Sequence, residues 1–204
     1  MVTAGGVWLA PGRAPATVQE QRARLPPAAE CDDTVQGTWK SHAFNPMWQE
    51  WNLFTLTVHR RSPGSDELEG TITNLAWFGP PTEENRGPCE GRLQYLVSMP
   101  AQGRIDGNRI EFGGREPWKL EEVFCASFDG GYNLDQFAGT IDPDLLEFQS
   151  VNNDGGRFVN VQTVFRRVAC PEGERDLAAP RVAVAPPPFY PEGDDAGPSG
   201  CACR

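Results

Sequence analysis

Asn52-Leu53-Phe54-Thr55-Leu56-Thr57-Val58-His59-Arg60 alternates apolar and polar residues with period two, Phe54, Leu56 and Val58 falling on one face. That face is a core face, and the segment reads as a half-buried strand. The turn Ser62-Pro63-Gly64-Ser65-Asp66 follows, and the chain returns through Leu68-Glu69-Gly70-Thr71-Ile72-Thr73-Asn74-Leu75-Ala76-Trp77. Two strands joined by such turn chemistry make a hairpin. Working outward, further strands are expected at Arg92–Met99, Arg109–Phe112, Trp118–Phe128, Leu134–Ile141, Leu145–Val151 and Arg157–Val168, with one more around Thr38. Ile105-Asp106-Gly107-Asn108 and Asn153-Asp154-Gly155-Gly156 supply turns between them. About nine segments in a meander, with almost no helical pattern, make the fold class all-β, an antiparallel up-and-down barrel.

The boundaries of that barrel are marked by composition. Residues 31–170 hold the β pattern, and four of the six cysteines, Cys31, Cys89, Cys125 and Cys170, are spread across them. Their spacing does not suit a metal knuckle, and His42 and His59 are the only histidines. Four cysteines allow three pairings. Barrel order favours Cys31–Cys170, tying first strand to last, with Cys89–Cys125 inside; buried free thiols are the alternative. Residues 1–30 read as a leader or linker: the one helical stretch, Ala16 to Leu25, lacks a clean apolar face. Residues 171–204 are rich in Pro, Gly and Ala and read as an extended stalk.

Net charge is −10, and there is no Lys/Arg-rich run, which disfavours nucleic acid and anionic lipid as partners. No apolar run is long enough for a transmembrane helix. The patch Gly5-Gly6-Val7-Trp8-Leu9-Ala10 has no basic residue before it and falls short of a signal peptide, so the chain carries no evident export signal. The disulfide reading nevertheless points to an extracytoplasmic, secreted or cell-surface location.

From Gly37-Thr38-Trp39 to Arg166-Arg167 the chain resembles the calycin superfamily, the lipocalin and avidin barrels. Their shared signature is a Gly-x-Trp on the first strand with an Arg or Lys of the last strand packed over the indole. The resemblance implies that Trp39 is covered by Arg166 or Arg167 and that this pair plugs one barrel end, a structural role. Val168-Ala169-Cys170 runs on without the helix of lipocalins, which is closer to avidin. Gly200-Cys201-Ala202-Cys203-Arg204 resembles the cysteine motif of the C-terminal surface-sorting signal of myxobacterial exported proteins. That resemblance implies processing and anchoring at the cell surface through Cys201 and Cys203.

Candidate chemistry is sparse. His42-Ala43-Phe44-Asn45-Pro46-Met47-Trp48-Gln49-Glu50-Trp51 is an unusually aromatic first connection. His42, Trp48 and Trp51, with Trp77 and Phe78, are expected to floor a pocket for a small apolar or carbohydrate-like ligand. Adjacent Glu121 and Glu122 point to opposite faces of a strand and make no cooperating pair unless a bulge intervenes. Ser65 sits at a hairpin tip, and Asp142-Pro143-Asp144 and Asn152-Asn153-Asp154 are better explained as turns than as calcium ligands. No catalytic set, metal site or cofactor is expected. The reading is a ligand-binding barrel; its alternatives are a filled structural or adhesion module, and a barrel hydrolase or isomerase built on His42 or a buried carboxylate.

Overall fold

The computed structural model describes residues 18–173. The expectations for residues 1–17 and 174–204, including the sorting motif at Cys201 and Cys203, lie outside the described residues. Ten strands follow one short helix: α1 (Val18–Arg24), β1 (Gly37–Lys40), β2 (Ala43–Asn45), β3 (Glu50–Arg60), β4 (Glu67–Phe78), β5 (Gln94–Asp106), β6 (Arg109–Gly114), β7 (Lys119–Phe124), β8 (Gln136–Asp142), β9 (Glu147–Asn153) and β10 (Val159–Ala169). All pairings are antiparallel, and β1 bonds both β3 and β10. The sheet therefore closes on itself. Eight strands, β1, β3, β4, β5, β6, β8, β9 and β10, form the barrel, and β2 and β7 are additions, an architecture consistent with a calycin-like fold.

Alternation decides what lies inside. Phe54, Leu56 and Val58 of β3, Ile72 of β4, Val97 and Met99 of β5, Phe112 of β6, Phe137 of β8, Phe148 of β9 and Phe165 of β10 are all buried in one cluster. Edge-to-face contacts join Phe54 to Phe137 across the barrel at 5.1 Å, and Phe137 to Phe165, two strands along, at 4.8 Å. This apolar layer fills the middle of the barrel.

One end is plugged as the Gly-x-Trp signature implied. The Arg167 guanidinium lies over the Trp39 indole at 5.4 Å, and the indole N–H donates to the Val35 carbonyl at 2.9 Å. Arg167 also donates to the Ala29 and Asp33 carbonyls. Arg166, the other candidate, points away and pairs with the buried Glu147 at 2.8 Å. Gly37 has φ +126°, and a Cβ there would collide with the Ala169 carbonyl oxygen, so the seam between first and last strands requires glycine. Cys31–Cys170, with Cα atoms 5.4 Å apart, crosses the same seam, and Cys89–Cys125 forms the second disulfide.

Three differences from the sequence reading shape the other end. Residues 18–30, read as a linker, pack along β10: Gln21 donates to the Gln162 carbonyl at 3.0 Å and accepts from the Val164 N–H at 2.9 Å. Its side-chain amide thus stands in for a strand where β1 does not reach. The fifth strand continues past Met99 to Asp106, and two strands share its second edge, β6 along Ala101–Asp106 and β7 along Gln94–Ser98. Finally, β7 ends at Phe124 and not Phe128, Cys125 turning at φ +74°. Since β8 bonds β6 and not β7, the wall between β7 and β8 is a loop, residues 125–135.

Candidate functional site

That loop closes the second end, and the barrel's polar chemistry collects under it. Glu50 and Asn52 enter from β3, Asn74 from β4, Tyr95 from β5 and Asn152 from β9, all on the inward parity of their strands and all buried. Asp135, at the loop's end, is buried with them. The Asn74 amide donates to Asn52 Oδ1 at 2.8 Å and to the Tyr132 hydroxyl oxygen at 3.0 Å. The Tyr132 hydroxyl in turn donates to Asp135 Oδ2 at 2.6 Å, and the Asn152 amide donates to Asp135 Oδ1 at 2.8 Å. A buried network of this kind fixes the loop against the strands.

Burial pushes the Asp135 carboxyl up to about 7, against the pull of its two donors, which favour the charged form. Glu50, 0% exposed, is pushed up for the same reason, and the hydroxyl of Tyr95, donating to Oε1 at 2.9 Å, offsets part of that. Desolvation together with Glu50's negative charge raises the Tyr95 phenol far above its ordinary value, so it stays a donor. Among the described residues Glu50 Oε2 has no hydrogen-bond partner, and neither do Asn52 Nδ2 and Asn74 Oδ1.

Above Glu50 lies a cavity of about 280 Å³, walled by Phe78, Leu93, Tyr95, Phe128, Tyr132 and Phe158 and rimmed by Asp129, Asp154 and Arg157. Arg157, 51% exposed, comes from the β9–β10 turn. Its guanidinium lies 4.9 Å from the Trp48 ring centre and 6.0 Å from that of Phe78, and stands 3.8 Å from Glu50 Oε2. A larger depression, about 1030 Å³, runs along the outside past Gln102, Arg104, Glu111, Ala138 and Val151. It takes in outward side chains together with Leu68, Phe112 and Phe137 of the core, and none of the buried polar network. The smaller cavity is where the buried polar groups converge, and the chemistry belongs to it.

The five aromatic side chains expected to share a pocket are divided between two faces. Phe78 lines the mouth cavity, and Trp48, 43% exposed, stands at its rim beneath Arg157. Trp51 and Trp77 lie on the opposite parity, stack at 6.0 Å on the outer face of β3 and β4, and are buried under Phe44 and His42. The indole N–H groups donate to the carbonyls of Pro80 and Glu83, and Arg24 covers Trp51 at 4.9 Å. Burial holds the His42 imidazole below its ordinary pKa. This cluster is a second small core between the barrel and the loop after β4.

Glu50, Tyr95, Tyr132, Asp135 and Arg157 were not singled out from sequence. The parity that makes Phe54 inward also makes Asn52 and Glu50 inward, so a carboxylate inside the barrel was readable. Asp142 proves a turn residue, accepting from the N–H groups of Asp144 and Leu145. Asn152, grouped with a turn by its neighbours, is instead an inward strand residue. Among the described residues no three His, Cys, Asp or Glu side chains are grouped so as to hold a metal ion, and no helix is long and apolar enough to cross a membrane. No protein-family model, curated protein or solved structure matches this chain.

Proposed function

We propose that the barrel is a small-molecule binding module whose ligand enters the mouth above Glu50, and that it binds without turnover. One observation carries the reading: a fully buried carboxylate, one oxygen held by Tyr95 and the other without a hydrogen-bond partner among the described residues, lies against the base of an aromatic-walled cavity with only Arg157 beside it. Buried polar atoms are normally satisfied, and convergence of open ones on a concave site is a mark of ligand recognition. The volume, about 280 Å³, suits a ligand of one ring. Of the apolar and carbohydrate-like classes, the carbohydrate-like one fits better, because a polar ring both hydrogen-bonds the floor and stacks on Phe78 or Phe128.

The two disulfides favour an extracytoplasmic home for this module. Trp48 at the rim supplies the assay. Titration with monosaccharides is expected to give a saturable change in tryptophan emission that Trp48→Phe reduces and Phe78→Ala abolishes. Absence of a saturable change with every monosaccharide, amino sugars included, and with small rings such as indole and 2-phenylethylamine, would overturn the reading and leave a filled structural head.

A hydrolase or isomerase is the second reading, favoured by the acid near neutrality at Asp135. Against it, Asp135 sits behind Tyr132 with both oxygens engaged and does not line the cavity. Turnover of nitrophenyl glycosides that is lost in Glu50→Gln would favour this second reading over simple binding.

A further inference from the structure

Four charged side chains line the mouth cavity: Glu50, Asp129, Asp154 and Arg157. Three are acids, and the one cation is borrowed. Arg157 stands 3.8 Å from Glu50 Oε2, beyond hydrogen-bond length, on a side chain half exposed to water and resting on Trp48 and Phe78. It screens the buried carboxylate without satisfying it. A carboxylate taken out of water needs both a counter-charge and donors to its free oxygen, and Arg157 gives only the first, at long range. The aromatic walls add to this preference, since ring faces attract cations and offer nothing comparable to anions.

We propose that the ligand carries a protonated nitrogen, an ammonium group on a small ring or short chain, which donates to Glu50 Oε2 and takes the position Arg157 now screens. This rests on the reading of the mouth as a ligand pocket and deepens it by naming the ligand's charge. The ring of the ligand lies against Phe78 and Phe128, and Arg157 withdraws from Glu50 while keeping its place over Trp48. Asp129 and Asp154 at the rim attract such a cation and repel carboxylates and phosphates. A neutral polyol satisfies Glu50 Oε2 with a hydroxyl but gains no charge pairing in a site of low dielectric.

Calorimetric titration of the full chain with two matched sets tests this: glucosamine, glucose and glucuronate, and 2-phenylethylamine, 2-phenylethanol and phenylacetate. In at least one set the amine is expected to bind roughly tenfold or more tightly than the alcohol, with no detectable heat from the acid. Glu50→Gln is expected to bring amine and alcohol to parity. Arg157→Ala, at a half-exposed position, is expected to keep or strengthen amine binding by removing a competing cation. Alcohols binding as tightly as amines would overturn the charge assignment and leave the pocket standing. Loss of amine binding in Arg157→Ala would likewise overturn it. Binding by none of the six compounds would overturn both.

Discussion

The hydroxyl of Tyr95 on β5 donates to Glu50 Oε1 on β3 at 2.9 Å, reaching past the intervening strand β4 inside the barrel. Among the described residues it is the one hydrogen bond to this carboxylate, which has no contact with solvent. Everything proposed for the mouth depends on that carboxylate being held there.

Tyr95→Phe removes the donor and keeps the ring against Phe128. The buried Glu50 carboxylate then loses its hydrogen bond, at a cost of about 1–3 kcal/mol. Urea unfolding is expected to find the loss larger on the alkaline side of the Glu50 titration, where the carboxylate is charged, than on its acid side. An equal loss at both would show that Tyr95 acts through packing alone.

Asp135 carries the pH dependence. Its folded carboxyl, at about 7, lies above the ordinary 3.8, so the folded state binds the proton more tightly than the unfolded chain does. Stability is therefore full below the unfolded value and is lost as pH rises through the folded one, by up to about 4 kcal/mol for a shift of this size. Glu50 contributes with the same sign. Asp135→Asn is expected to flatten the fall in stability between pH 4 and pH 8 relative to wild type. A wild-type profile that rises over that window, with the variant parallel to it, would contradict the burial of a protonated Asp135.

At the plugged end, Arg167→Ala removes a cation over Trp39 and the donors to the Ala29 and Asp33 carbonyls. Thermal unfolding should report a loss of about 3 kcal/mol, the cation–π contact and the buried carbonyls together. Arg167→Lys restores the charge but not the fork of donors, and is expected to fall between the two. Ligand binding at the mouth, at the other end of the barrel, is expected to be unchanged wherever the variant is folded.

Gln21→Ala leaves the Gln162 carbonyl and the Val164 N–H without the side-chain amide that now pairs them. Hydrogen exchange at Val164 is expected to accelerate while Phe165, bonded within the β9–β10 ladder, stays protected. Unchanged exchange at Val164 would show that α1 does not serve as the missing strand.

The barrel was legible because its signals are local and periodic: Phe54, Leu56 and Val58 announce a core face, and Pro63-Gly64 a hairpin. The plug was legible to within one residue because Gly37-Thr38-Trp39 and Arg166-Arg167 sit at the two ends of the β pattern, with strand parity deciding that Arg167 covers the indole, and the same bracketing paired Cys31 with Cys170. The mouth was not. Whether Asp135 and Tyr132 meet Asn152 and Asn74 depends on a loop replacing the β7–β8 pairing, which no period in the sequence encodes. The aromatic run drew the eye to Trp51 and Trp77, yet one step of strand parity sends both to the outer face and turns Glu50 and Phe78 inward. Gln21 had no signal of its own, since its role is set by a strand edge 141 residues away.

Carbon-13 NMR of the Glu50 side-chain carboxyl, followed through a pH titration of the full chain free and with saturating 2-phenylethylamine, is the decisive experiment. A buried carboxylate awaiting a cation should titrate above the ordinary glutamate value when free and fall back when the amine arrives to stabilise its charge. A Glu50 midpoint in the ordinary range, unmoved by the amine, would mean that the mouth holds no buried carboxylate poised for a ligand.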